Sequence, residues 1–246
     1  RLTTKIGYRL SVTKEEIGSW FRELQLHICS ELEAEDGKAK FEDPHTVAVQ
    51  DVRGAVQRAR GKVIVIATGS VPRTPTDLDV DHEHILDSDS ILSLQYLPRS
   101  LVILGGGVIA CEYASIFAAL DVSVTIVDRG PRPMPFLDPQ LSEAFVRRFT
   151  DRSLGRYLPN AAYKSVAFDG FASVRTTLED GTEIEAEKVL FTLGRVARLE
   201  GLGIENTGIQ PTNRGLLSIN EHQQTSVPHI YAVGDVIGAP SLASAA

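Results

Sequence analysis

Three small residues and one carboxylate have the spacing of a dinucleotide-binding site. Gly105, Gly107 and Ala110 follow a short apolar run, and a second apolar run ends at Asp128, 23 residues after Gly105. In this pattern the first glycine allows a sharp turn, the second lets the backbone approach a pyrophosphate, and a small third residue allows close packing of a helix on the sheet. The N–H groups at the helix start face the phosphates, and the carboxylate binds the ribose hydroxyls. The sequence therefore predicts a strand, a turn, a helix and a second strand that bind NAD or a related dinucleotide.

The residues around Asp128 leave the choice between NAD and NADP open. A carboxylate at this position accepts hydrogen bonds from both ribose hydroxyls of NAD and repels the 2′-phosphate of NADP. Arg129 follows at once and Arg132 lies three residues further on, and either guanidinium can bind a phosphate as a forked, charged donor. If Asp128 faces the ribose, NAD is preferred; if it turns to solvent or pairs with an arginine, both nucleotides bind. We expect both to bind, with affinities within about a factor of thirty, or roughly 2 kcal/mol.

The stretch 101–120 is mostly apolar and about as long as a membrane-spanning helix. Three consecutive glycines interrupt it, Glu112 lies near its centre, and no basic cluster flanks it. Each of these features argues against a membrane span. We therefore expect no membrane partner.

Composition and charge narrow the function classes further. The chain has 246 residues, a net charge of −7 and a pI near 5.4, which argues against a surface for nucleic acid or anionic lipid. Cys29 and Cys111 are too few for a disulfide scaffold, so a cytoplasmic location is expected. The segment 81–84, Asp-His-Glu-His, carries metal-ligating side chains, but alternating residues in an acidic loop are more often solvated. We expect no bound metal.

The remaining patterns predict the elements that position these residues. Capping-box spacing and apolar residues at helical intervals predict a helix over 13–34, and a second helix is predicted over 138–152. Apolar runs that end in glycine predict strands over 61–69 and 188–195, covered on both faces. Short antiparallel strands are predicted before them, over 40–50, 55–60, 164–174 and 173–185. The repeated order of hairpin, buried strand and glycine turn suggests two related nucleotide-binding halves.

Three motifs, in this order, resemble those of the flavoprotein disulfide-reductase superfamily, which includes dihydrolipoamide dehydrogenase and glutathione reductase. They are Thr68-Gly69, the Gly105 motif, and the segment from Thr225 to Asp235. The similarity runs across nearly the whole chain. It implies an α/β fold with two Rossmann-like, three-layer nucleotide-binding domains of the FAD/NAD(P)-binding type.

The resemblance also implies roles for single residues. Gly234 and Asp235 would lie against FAD, with the Asp235 carboxylate accepting a hydrogen bond from the ribityl chain. Ile109 and Glu112 would lie where the nicotinamide of NAD(P) meets the flavin ring. Further cofactor-binding positions implied in this way are the glycine turns at Thr68, Gly69 and Gly194.

The domains implied by the resemblance are an NAD(P)-binding domain at 98–221, inserted in an incomplete FAD-binding domain at 1–97 and 222–246. The superfamily's N-terminal FAD pyrophosphate motif and its C-terminal dimerisation domain have no counterpart here, and Gly194-Arg195 lacks the usual Pro-Asn that follows. We therefore interpret the chain as a fragment that is itself inactive. The full-length protein is expected to be a homodimeric enzyme.

Within the superfamily, the motifs most resemble those of members that transfer hydride between NADPH and NAD through FAD. This resemblance implies FAD, NAD and NADP as cofactors and pyridine nucleotides as partners. Two alternatives stay open: a reductase similar to dihydrolipoamide dehydrogenase that passes electrons to a disulfide, and a nucleotide-binding scaffold without turnover.

Overall fold

The computed structural model describes residues 38–151 and 155–238. Within these residues the chain forms fifteen strands, two α-helices and three 3-10 helices. The helices are α1 (Val108–Ala119), α2 (Pro139–Thr150) and the 3-10 helices Ser90–Ser93, Ile204–Thr207 and Gly234–Ile237. The strands, in chain order, are β1 (Lys38–Asp43), β2 (Thr46–Gln50), β3 (Val56–Arg60), β4 (Ile64–Ile66), β5 (Ser70–Pro72), β6 (Ile85–Leu86), β7 (Ser100–Leu104), β8 (Ser123–Val127), β9 (Gly155–Leu158), β10 (Tyr163–Phe168), β11 (Val174–Leu178), β12 (Glu183–Ala186), β13 (Lys188–Phe191), β14 (Arg195–Ala197) and β15 (Ile230–Ala232). The helix predicted over 13–34 lies outside the described residues.

The described residues fall into two compact units. The first unit consists of 38–66, 199–211 and 218–232, and the second of 67–151, 155–198, 212–217 and 233–238. All the site residues predicted from the sequence belong to the second unit. The predicted FAD-binding and NAD(P)-binding domains are defined by the ligand that each binds, whereas the two units are defined by their internal contacts. The predicted domain division therefore stays a prediction.

The first unit is built on short strands. β1, β2 and β3 form an antiparallel sheet in that order, so the small antiparallel layer predicted over 40–50 and 55–60 is present. Within 40–50 a turn at 44–45 separates β1 from β2, so this stretch is two strands and not one. β4 pairs in parallel with β15. Within the described residues Ile66 is buried and Val65 is 38% exposed, and the prediction that the apolar run around β4 is covered on both faces stays a prediction. In the described part of the chain, β15 is the single partner strand of β4.

The second unit is an α/β structure built around a parallel sheet. Its five strands are all parallel and have the order β6-β13-β7-β8-β9. Successive side chains of a strand point to opposite faces, so Leu101 and Ile103 pack with α1 and α2, while Val102 and Leu104 pack with the antiparallel sheet β10-β11-β12. These four side chains are at most 1% exposed. The predicted α/β fold with a parallel sheet buried on both faces is therefore confirmed for this unit.

The apolar stretch 101–120 is divided into a strand, a turn and a helix. α1 contains 12 residues and begins after its N-cap, Gly107. Among the residues that the structure describes, no helix has the length and apolar content needed to cross a membrane. The second predicted helix is present as α2, where the carboxylate of Asp138 accepts the N–H of Gln140 at 2.8 Å and Pro139 occupies the first turn.

The strand predicted over 164–174 is interrupted by a turn after β10. The carboxylate of Asp169 accepts the N–H groups of residues 171–173 at 2.8 to 3.1 Å. These hydrogen bonds hold the pKa of Asp169 well below its usual range. The prediction of an unbroken strand was wrong because an aspartate side chain can satisfy nearby backbone N–H groups in a turn instead of leaving them to the strand ladder.

The hydroxyl of Thr176 offers a test of this packing. Thr176 is fully buried on β11, and its Oγ1 has no hydrogen-bond partner among the described residues. A buried hydroxyl without a partner loses its hydration, so we expect Thr176→Val to stabilise the fold by about 1 kcal/mol. Urea unfolding measures this change, with the half-buried Thr177 of the same strand changed to Val as the control. If Thr176→Val leaves the free energy of unfolding unchanged or lowers it, the expectation is contradicted.

Candidate functional site

The predicted glycine turn lies at the carboxyl ends of adjacent parallel strands. Gly105 follows β7, Asp128 follows β8, and Thr192 follows β13. In open α/β sheets ligands bind at this edge. Gly105 has a φ of 114°, and a Cβ on it would lie 2.9 Å from the backbone oxygen of Thr192. A side chain at Gly105 would therefore disturb both the turn and the neighbouring strand end.

Gly106 supports the carboxylate of Asp128, a role that the sequence analysis missed. A Cβ on Gly106 would collide with Oδ2 and Cγ of Asp128. The sequence did contain a signal for this role. The dinucleotide pattern requires only Gly105 and Gly107, so it leaves the middle glycine of the run, Gly106, without an explanation. The carboxylate thus lies directly against the backbone of the glycine turn.

Gly107 faces open space. A Cβ on this residue would meet no described atom within 4 Å, and no side chain among the described residues caps the start of α1. The first N–H groups of a helix have no partner within the helix. Room and hydrogen-bond donors are thus present where the sequence predicts the pyrophosphate, so these residues fit a bound dinucleotide. Ala110 is fully buried in the first turn of α1, as close packing of helix on sheet requires.

Asp128 is held by two hydrogen bonds from different segments. Its Oδ1 accepts the N–H of Gly130 at 3.0 Å, and its Oδ2 accepts the hydroxyl of Tyr157 on β9 at 2.9 Å. Burial and the hydrogen bond to Asp128 raise the pKa of Tyr157 well above its usual value. The carboxylate is half-buried. Within the described residues, neither of the nearby arginines forms an ion pair with it.

The two arginines after Asp128 differ in their surroundings. The guanidinium of Arg132 donates to the carbonyl oxygens of Leu137 at 3.0 Å and Pro135 at 2.9 Å. These contacts fix the loop that leads to α2. Arg129 is exposed, and its guanidinium lies 5.8 Å from the centre of the Tyr163 ring. Arg129 is therefore the arginine available to a ligand.

Ile109 and Glu112 line the same pocket, which has a volume of about 350 Å³. Ile109 is half-buried and Glu112 is exposed. The other lining residues are Ser88, Leu92, Tyr113, Ile116 and Arg195. Two larger depressions, of about 440 and 550 Å³, contain none of the predicted site residues. The structure thus brings the two predicted nicotinamide-contacting residues together.

Arg195 joins segments that are far apart in the sequence. Its guanidinium donates to the hydroxyl and the carbonyl of Ser70, each at 2.8 Å. It also donates to the hydroxyl of Ser88 at 2.9 Å and pairs with the carboxylate of Asp89 at 2.8 Å. Tyr113 on α1 donates its hydroxyl to the carbonyl of Ser88 at 3.1 Å. Sequence reasoning missed these links because they depend on contacts between distant segments.

Asp235 is connected to the same set of hydrogen bonds. Ser70 donates its hydroxyl to Oδ2 of Asp235 at 3.1 Å. Gly234 has a φ of 72°, which glycine adopts without strain, and it begins the 3-10 helix that carries Asp235. Among the described residues, the hydroxyl of Ser70 is the one side chain that donates to this carboxylate, which leaves acceptor positions for a ligand hydroxyl. Asp235 therefore fits the predicted contact with FAD.

The remaining glycine turns lie beside the pair formed by β5 and β14. The carbonyl of Gly69 accepts the N–H of Arg198, and the carbonyl of Gly194 accepts the N–H of Arg73, both at 3.0 Å. Thr68 is exposed. Gly69 and Gly194 are thus placed by backbone hydrogen bonds, while the binding roles of all three residues stay predictions.

The acidic segment 81–84 is ordered by hydrogen bonds within the chain. Oδ1 of Asp81 accepts the N–H groups of Glu83, His84 and Ile85 at 2.7 to 2.9 Å. In the described part of the chain no cluster of three or more His, Cys, Asp or Glu side chains could hold a metal ion. The Asp81 carboxylate therefore stabilises a turn.

Comparisons with known proteins agree with this architecture. A model of the pyridine nucleotide-disulphide oxidoreductase family matches residues 12–246. The soluble pyridine nucleotide transhydrogenases of Hahella chejuensis and Chromohalobacter salexigens are each 44% identical over 211 residues, which is 85% of this chain and 45% of each relative. The chain thus spans about half the length of the curated relatives that it matches.

Solved structures with the same fold include two bacterial proteins. LpdA from Mycobacterium tuberculosis has a TM-score of 0.77 and 31% identity, covering 85% of this chain and 46% of that chain. RclA, an HOCl-induced flavoprotein disulfide reductase from Escherichia coli, has a TM-score of 0.77 and 26% identity, covering 93% of this chain and 52% of that chain. The fold is that of α/β FAD/NAD(P)-binding oxidoreductases with parallel sheets.

Proposed function

The chain belongs to the pyridine nucleotide-disulphide oxidoreductase family, and on that premise we propose that it takes part in hydride transfer between NADPH and NAD through FAD. The activity proposed is that of a soluble pyridine nucleotide transhydrogenase. The 44% identity to proteins of that name supports the proposal. Because the chain covers 45% of their length, the activity is proposed for the flavin-loaded whole protein.

The observation that carries the proposal is the environment of Asp128. Within the described residues the Asp128 carboxylate has no arginine partner and is held by Gly130 and Tyr157, an arrangement that favours NAD. The exposed guanidinium of Arg129, on the next residue, is the group that supports binding of NADP. A protein that moves hydride from NADPH to NAD must bind both nucleotides, and these two side chains supply one favourable contact for each.

The predicted site residues of the second unit then have separate roles in binding and positioning the nucleotides. The backbone at Gly107 and the first N–H groups of α1 bind the pyrophosphate. Ile109 and Glu112 position the nicotinamide, and Asp235 accepts a hydrogen bond from the ribityl chain of FAD. Bound FAD supplies the chemistry of accepting and releasing hydride, and the protein supplies orientation and electrostatics.

The domain organisation is part of the proposal. Residues 98–221 form an NAD(P)-binding domain inserted in an FAD-binding domain to which 1–97 and 222–246 belong. Both are Rossmann-like, three-layer domains, and the whole protein is a homodimer in the cytoplasm. The parallel sheet of the second unit, with helices on one face and an antiparallel sheet on the other, supports the assignment of the inserted domain.

A second candidate is a reductase that passes electrons to a disulfide, and the likeness to RclA favours it. The thiol of Cys111 does not fit a redox-active role. Cys111 is 4% exposed, and burial, together with the charges of Asp128 and Glu112, raises the pKa of its thiol to about 12. A thiol that stays protonated is a poor nucleophile. Cys29 lies outside the described residues.

Stopped-flow absorbance of the flavin-loaded protein tests these candidates. We expect NADPH to bleach the oxidised flavin band and NAD to restore it faster than a disulfide such as lipoamide does. Faster recovery with the disulfide would favour the reductase. A flavin band that NADPH leaves unchanged would indicate a nucleotide-binding scaffold.

Nucleotide preference gives a direct test at the level of binding. We expect NAD and NADP to bind within about a factor of thirty of each other. Asp128→Ala should lower NAD affinity about fivefold, because the ribose loses its acceptor, and Arg129→Ala should lower NADP affinity about fivefold, because the 2′-phosphate loses its donor. Isothermal titration calorimetry measures both, with Arg147→Ala, an exposed arginine on α2, as the charge control. A thousandfold preference for NAD, with NADP binding unaffected by Arg129→Ala, would contradict the proposal.

A further inference from the structure

We propose that Tyr157 is a positioning residue that sets nucleotide preference by fixing the carboxylate of Asp128 as an acceptor for the ribose of NAD. The inference rests on the proposed function, because it concerns the same nucleotide site. It adds a residue from β9, a strand to which the dinucleotide pattern assigns no binding role.

The hydrogen bonds of Asp128 carry the first step of the argument. Among the described residues, each carboxylate oxygen accepts one hydrogen bond: Oδ1 from the N–H of Gly130 and Oδ2 from the hydroxyl of Tyr157. An ionised carboxylate has about four acceptor positions. Asp128 is therefore oriented by two donors and keeps positions for the two hydroxyls of a ribose.

The second step is the rigidity of Tyr157 itself. Its ring is half-buried and packs against the hydrophobic core that contains Val124, Ile126 and Phe149. A tyrosine hydroxyl is protonated at neutral pH, and burial and the hydrogen bond to Asp128 raise the pKa of Tyr157 further, so it is a hydrogen-bond donor to the carboxylate. The donor that holds Asp128 is thus attached to the packed core rather than to a surface loop.

The third step is the backbone on the other side of the carboxylate. Gly106 leaves the space that Asp128 occupies, since any Cβ there would collide with it. The carboxylate is therefore confined by the backbone of Gly106, the N–H of Gly130 and the hydroxyl of Tyr157. Of these three contacts, only the one from Tyr157 comes from a side chain and can be removed without altering the turn.

The two nucleotides should respond differently to the loss of this contact. The ribose of NAD needs an ordered acceptor, and a carboxylate that is free to rotate must be ordered again on binding. NADP carries a 2′-phosphate, so it gains nothing from a fixed carboxylate and tolerates one that turns away. Tyr157 therefore acts in favour of NAD.

The test is Tyr157→Phe, which removes one oxygen atom and keeps the ring in the core. We expect calorimetry to show NAD affinity falling about fivefold, or about 1 kcal/mol, with NADP affinity changed less than about twofold. In an Asp128→Ala background the same substitution should change neither affinity, because Tyr157 acts through Asp128. The control is Tyr231→Phe in the first unit, which also removes a hydroxyl from a hydrogen bond.

The possible results separate the inference from the proposed function. Equal losses for both nucleotides, or the same loss without Asp128, would mean that Tyr157 has only a structural role and would overturn the inference. If Asp128→Ala lowers NAD affinity and Tyr157→Phe does not, the inference fails and the site stands. If Asp128→Ala leaves NAD affinity unchanged, the proposed nucleotide site itself is wrong.

Discussion

Gly107→Val should lower the affinity for NAD and NADP at least tenfold, or about 1.4 kcal/mol, while the fold persists. The branched side chain would fill the open space beside the start of α1, where the pyrophosphate must approach the backbone. Apart from the two adjacent residues of the chain, no described residue has an atom within 4 Å of the new Cβ, so the substitution affects a ligand rather than the packing of the fold. Both nucleotides should be affected alike, because they share the pyrophosphate.

The measurement is calorimetry with NAD and NADP, with circular dichroism to monitor the fold. Valine is also a poor N-cap residue and weakens the helix by about 1 kcal/mol, so Gly107→Ser provides the matched variant. Serine is a favoured N-cap but still adds a side chain. If the added side-chain atoms cause the loss of binding, Gly107→Ser should also weaken nucleotide binding. Unchanged affinity for Gly107→Val would mean that the phosphates lie elsewhere.

Gly105→Ala should mainly lower the stability of the fold, in contrast to Gly107→Val, which should mainly lower nucleotide affinity. At a φ of 114° an L-residue is strained, and its Cβ would lie 2.9 Å from a backbone oxygen and from Oγ1 of Thr192. Strain of this kind costs about 1–3 kcal/mol, and the contact with the neighbouring strand end adds to it. We expect the free energy of unfolding to fall by about 2 kcal/mol or more.

Urea unfolding of Gly105→Ala beside Gly107→Ala tests this difference within one turn. Alanine adds the same atom at both positions, but only Gly105 has a positive φ and a close backbone neighbour. Similar unfolding free energies for the two variants would show that the turn adapts, and the assignment of Gly105 to a sterically required position would fail.

Local patterns in the sequence predict the elements of the second unit well. The apolar runs around Leu101 and Val124 become adjacent parallel strands, and the helix that starts after Gly107 is present. Errors arose where local side-chain chemistry interrupted a run, as at Asp169, whose carboxylate ends β10 with a turn.

The site was predictable only as far as its local motif extends. Gly105 and Asp128 follow from a single pattern, but Tyr157 reaches Asp128 across 29 positions and Arg195 reaches Ser70 across 125. Such contacts depend on how strands are ordered, which no local spacing encodes. The sequence also provided no means of distinguishing Arg129 from Arg132. In the structure the guanidinium of Arg132 donates its hydrogen bonds to backbone carbonyls.

The contact between Gly106 and Asp128 constrains how this site can change during evolution. A side chain at position 106 is accommodated only after position 128 has lost its carboxylate or moved it, because the two would occupy the same space. A single substitution at 106 is therefore deleterious in the present background and tolerable in another. The two positions are therefore epistatic, so a mutational route that places a side chain at position 106 must first alter residue 128.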